Sequence, residues 1–93
     1  MPKIAFYKYL MFFIVSYDLQ ERLHLHVIKT KGRKSRVAKI WLDPVEVFDR
    51  GDLKNKEINL VIKLIEKNKE EITGKIATFA KGKKSKPLKL KLK

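Results

Sequence analysis

The 93-residue chain contains no cysteine. That absence excludes disulfides, thiolate metal sites, cysteine nucleophiles and iron–sulfur clusters together. Glycine is sparse, at four residues, and neither a glycine-rich phosphate loop nor a serine-nucleophile elbow occurs. Acidic residues are few: Asp and Glu total 10 against 23 Lys and Arg, for a net charge of +13. There are two histidines, and a chain this short has a small core, which leaves little room for elaborate catalysis. The most apolar stretch, Tyr9 to Val15, falls short of the roughly 20 residues of a transmembrane helix. Tyr17-Asp18-Leu19-Gln20 behind it is no signal-peptidase site, so neither a span nor a leader is expected. These absences point to a cytoplasmic protein without a membrane partner, and no cofactor or metal is implied.

Apolar residues make up 44% of the chain and charged residues 35%, a balance that folds. The expected organisation is one domain over residues 1–80 and a lysine-rich tail over 81–93. The tail holds seven lysines and no acid, among them Lys83, Lys84 and Lys86. After Pro87 it alternates leucine and lysine, a pattern suited either to an edge strand on a partner or to a flexible basic tail.

The N-terminal third is aromatic and β-branched, which favours buried strands near 4–7 and 10–17. Leu23 to Thr30 alternates, placing Leu23, Leu25 and Val27 on one face and His24, His26 and Ile28 on the other. Lys31-Gly32-Arg33-Lys34-Ser35 reads as a turn, Arg36 to Leu42 as the return strand, and Asp43-Pro44 as its end. Val45, Val47 and Phe48 suit a further short strand, and Asp49-Arg50-Gly51-Asp52 a tight turn. The period then changes. Ile58, Val61, Ile62 and Ile65 fall at i, i+3, i+4 and i+7 of a helix near 55–67, with Asn55 as its cap. Asn68 and Glu71 have capping-box spacing, and Ile72, Ile76 and Phe79 mark a shorter second helix. The expected fold is α+β: a small, mainly antiparallel sheet covered by one long and one short C-terminal helix.

Residues in this order resemble the small bacterial family called domain of unknown function four-one-six-zero. The matching features are the opening Met1-Pro2-Lys3-Ile4, then Phe6-Tyr7, His24-Leu25-His26-Val27, Ala38-Lys39-Ile40, Val45-Glu46-Val47 and Gly51-Asp52-Leu53. Leu23 stands where the family usually has proline, and the loop Asp18 to Arg22 lacks a histidine that it often carries. The resemblance implies a compact α+β domain and a setting like that of toxin–antitoxin pairs.

Three groups of residues bear on chemistry. His24 and His26, two apart on a strand, project the same way and are the candidates for acid–base work on a phosphate. A metal there would need a third ligand from Asp18, Glu21 or Asp43, and no motif reinforces one; the plainer reading places the pair on a solvated or edge face. Lys29, Lys31, Arg33, Lys34, Arg36 and Lys39 surround a glycine turn and suit a phosphate backbone, as do Lys83, Lys84 and Lys86. Tyr7, Tyr9, Tyr17 and Trp41 can stack on bases or fill the core. Asp43, Glu46, Asp49 and Asp52 read as turn and surface residues. The basic balance favours a polyanion, so the expected function is a nucleic-acid-associated module directed at RNA. Two alternatives stand beside it. One is a subunit that docks a small acidic protein on a sheet edge or the Leu-Lys tail. The other is a metal-independent ribonuclease using His24, His26 and Arg36 or Lys39.

Overall fold

The computed structural model describes residues 3–14, 23–31 and 36–92. The apolar N-terminal stretch makes a hairpin, β1 (Lys3–Tyr7) and β2 (Leu10–Phe13), turned at Lys8-Tyr9. The next two strands, β3 (His24–Lys29) and β4 (Ala38–Leu42), pair antiparallel, and Asp43-Pro44, joined by a cis bond, turns the chain into β5 (Val45–Asp49). Five consecutive antiparallel strands thus form a meander. Of its described turns, Lys8-Tyr9 falls where a lysine interrupts the apolar run and Asp43-Pro44 where proline ends one. The expected turn over residues 32–35 lies outside the described residues.

Two helices follow, α1 (Asn55–Lys67) and α2 (Lys69–Ala80). The buried stripe of α1 centres on Val61, Leu64 and Ile65, one step round from the expected Ile58-Val61-Ile62-Ile65 line, and Ile62 sits at its margin. Asn55 is not the cap. Lys54 is, and because lysine offers no acceptor, the Glu57 carboxylate supplies one by taking the Lys54 N–H at 2.8 Å. Asn55 instead accepts from Arg50 Nη2 at 2.6 Å. The expected capping box at Asn68 and Glu71 also fails to form. Asn68 ends α1 and begins α2 while buried, and its Nδ2 donates to the carbonyls of Leu64 and Lys91 at 2.8 and 2.9 Å.

That last bond shows where the tail goes. Leu88–Lys89 form β6, parallel to β1, with Ala5 opposite Leu88 and Phe6 opposite Lys89. The Leu90 N–H donates to the Phe6 carbonyl at 3.0 Å, and Leu90 is buried. The expectation of a flexible tail is therefore corrected for these residues, which pair with their own chain rather than with a partner. The alternation explains it: the leucines turn to the core and the lysines away from it. The sheet order is β5-β4-β3-β2-β1-β6. Helices α1 and α2 carry the chain from one sheet edge to the other across a single face.

Between that face and the helices lies the core. The sheet contributes Ala5, Leu10, Phe12, Leu25, Val27, Ala38, Ile40 and Leu42, and the helices contribute Val61, Leu64, Ile65, Ile72 and Ile76. Among the described residues, no helix is long and apolar enough to cross a membrane.

Candidate nucleic-acid interface

Residues opposite one another in a sheet share a face, so the register assigns the second face directly. One line across it joins Phe13, His26 and Lys39; a second joins His24, Trp41 and Glu46; a third joins Phe6, Met11 and Ile28. Among the described residues no helix lies over this face. Its side chains must therefore satisfy one another or water.

They do so largely ring to ring. Phe13 stacks on His26 with centroids 5.4 Å apart, and His26 meets His24 edge to face at 5.0 Å. His24 in turn meets Trp41 at 5.6 Å, and Trp41 meets Phe48 at 5.3 Å. Five rings thus cross four strands. Lys39 Nζ lies 4.9 Å from the Trp41 centroid and 5.1 Å from that of Phe48, within reach of both π faces. The row is exposed at one end: Phe13 and His24 are each 4% exposed, while Phe48 at the β5 edge is 63% exposed.

The histidines are not on a solvated edge, as their alternation suggested. Their strand is interior, and His24 is buried because rings from β3 and β4 flank it. The structure brings His24, His26 and Lys39 together but not Arg36. Arg36 Nε lies 3.4 Å from Asp52, and its main-chain N–H donates to the same carboxylate at 2.6 Å. Among the described residues, no set of three His, Cys, Asp or Glu side chains is placed to hold a metal; Asp18 and Glu21 lie outside them.

The basic residues separate by position. Lys31, Lys83, Lys84 and Lys86 are exposed, and Arg33 and Lys34 lie outside the described residues. Lys29 points away from the ring row. Its Nζ reaches Glu57 Oε1 at 3.3 Å, and Tyr9 Oη donates to Glu57 Oε2 at 2.8 Å, so β3, the first hairpin and the α1 N-terminus meet at one carboxylate. The Lys54 N–H, Tyr9 and Lys29 hold the Glu57 carboxyl below its ordinary range despite its burial. The same bond to Glu57, with burial, pushes the Tyr9 hydroxyl up. A lowered folded-state pKa stabilises the ionised form. Glu57's contribution is thus full above the unfolded value of about 4.3 and is lost as pH falls through the folded value. Glu57→Gln is expected to lower stability at pH 7 by about 1–2 kcal/mol and to flatten the acid limb of a pH-dependent urea melt. An unchanged acid limb would show that Glu57 is not the linked group.

Of the aromatic residues singled out for stacking, Trp41 is on the ring row. Tyr7 and Tyr9 are half-buried against the core, and Tyr17 lies outside the described residues. Phe6, Phe13 and Phe48 were missed. Pairing across the two-residue Asp43-Pro44 turn sets Leu42 opposite Val45 and Trp41 opposite Glu46, and a step of two from Glu46 reaches Phe48, so that signal was available.

A family model described as Domain of unknown function (DUF4160) matches residues 10–75, from β2 into α2. No curated protein and no solved structure matches the chain. The match spans the ring row, His24 and His26 included, and covers well over half of the sequence, so the chain belongs to the family Domain of unknown function (DUF4160).

Proposed function

We propose that this protein is a small basic module that binds single-stranded RNA on the helix-free face of its sheet. One observation carries the reading: the ring row ends in a 63% exposed Phe48 with the Lys39 ammonium beside it. Unpaired bases stack on aromatic faces, and a neighbouring cation serves the phosphate. The net charge of +13 supplies long-range attraction for a polyanion.

Fluorescence polarisation with a labelled ten-nucleotide oligouridylate at low salt tests it. Micromolar or tighter binding is expected, with a log–log salt slope of about −0.7 per phosphate contacted. Phe48→Ala is expected to weaken binding about tenfold, within the range for one base–aromatic stack, without lowering the melting temperature. Lys29→Ala should do the reverse, since Lys29 is engaged with Glu57. Absence of affinity even at low salt would overturn the reading in favour of a protein-docking subunit.

A further inference from the structure

A second feature of the same face stands apart from the ring row. At the opposite side of the sheet a depression of about 300 Å³ is walled by Phe6, Met11 and Pro87, with Lys3 and Lys8 among its lining. Phe6 is 40% exposed there. Among the described residues neither lysine pairs with a carboxylate; the Lys8 ammonium lies 5.5 Å from the Tyr7 ring centroid. The volume matches the small end of ligand pockets. An aromatic and a thioether wall, with ammonium groups beside it, suit a flat π system joined to an anion.

Lys8 adds an independent observation. It has φ +52, the left-handed region, in a two-residue hairpin turn. Glycine or asparagine occupies such a position with less strain. A lysine held there, with its side chain at a pocket, is the kind of backbone outlier that function retains.

We infer that this depression is a nucleobase pocket, and that the bound strand runs across the sheet from Phe48 to Phe6 with its phosphates toward Lys39, Lys8 and Lys3. The inference rests on the RNA-binding reading and gives it a substrate length. Four inter-strand steps separate β5 from β1, about 19 Å. That is the span of about four nucleotides, at the lower end of the site sizes of single-strand binders.

The test compares oligouridylates of two, four, six and ten nucleotides on the full chain, by fluorescence polarisation at low salt, alongside thermal melts. Affinity is expected to rise steeply from two to about four nucleotides and only slowly beyond. Phe6→Ala should weaken the six-nucleotide strand about tenfold and change dinucleotide affinity less than twofold, the dinucleotide remaining at Phe48. Lys8→Gly should melt no lower than the parent, because it relieves the left-handed strain, yet bind the longer strands several-fold more weakly. If neither variant alters affinity at any length while Phe48→Ala still does, the pocket is refuted and the RNA-binding face stands. If the parent chain binds no oligonucleotide, both fail together.

Discussion

Ending the chain after Pro87 is expected to lower the stability of the domain by about 4–6 kcal/mol. Only six residues are lost, and three of them are the alternating lysines. The effect comes from the other three. Leu90 is buried, and Leu88 and Leu92 pack against the core, each contributing about 1–3 kcal/mol by the area removed from water. The parallel ladder to β1 goes with them, including the Leu90 N–H bond to the Phe6 carbonyl. So does the Lys91 carbonyl, one of the two acceptors of the Asn68 amide where α1 meets α2. A domain of this size is stable by roughly 5–14 kcal/mol in all, so the shortened chain should unfold at a much lower urea concentration. Urea melts of the two lengths, followed by tryptophan fluorescence, measure it. A midpoint within experimental error of the full chain would mean that β6 contributes nothing.

Gly51→Ala is expected to cost about 3 kcal/mol without touching any side chain of the core. Gly51 has φ +54, which an alanine adopts at a penalty of about 1–2 kcal/mol. The larger obstacle is space. A Cβ there would stand 2.6 Å from the Arg36 carbonyl oxygen and 2.8 Å from the Val37 carbonyl, so main chain must move against main chain. That movement loosens the clasp in which the Asp52 carboxylate takes the Arg36 N–H at 2.6 Å. Gly82→Ala is the control. It shares a positive φ of +78 but meets no atom within 4 Å, so it carries only the conformational penalty. Equal losses in the two variants, read from urea midpoints, would show that the close approach at Gly51 is unimportant.

Much of this fold was legible because its signals are local. The strands near β1 to β5 follow from alternation and breakers, and the change of period after Gly51 locates α1 to within a residue. What the sequence concealed required a second segment to interpret. Leu88 to Leu92 reads as an edge strand or a tail until β1 is known to present an unpaired outer edge beside it. Asn68 has the spacing of a cap, yet its amide is drawn to a carbonyl 23 residues away. The site shows the same limit. His24, His26 and Trp41 were visible as chemistry-bearing residues. Their burial was not, because alternation distinguishes two faces without stating what each face holds. Lys29 counted as one more positive charge until Glu57 appeared beside it.

Because β1 is completed by β6, the first of the described strands is bonded to the last of them. During synthesis the outer edge of β1 and the leucine-lined side of the sheet wait for residues that have yet to be translated. The meander can form early from neighbouring segments, but closure of the core waits until β6 has been made. Until then the nascent protein presents an unpaired edge and apolar surface, the two features that make intermediates stick to one another. The lysines that alternate through the last strand reach that edge together with the leucines that cover it, so charge and closure are delivered in the same few residues.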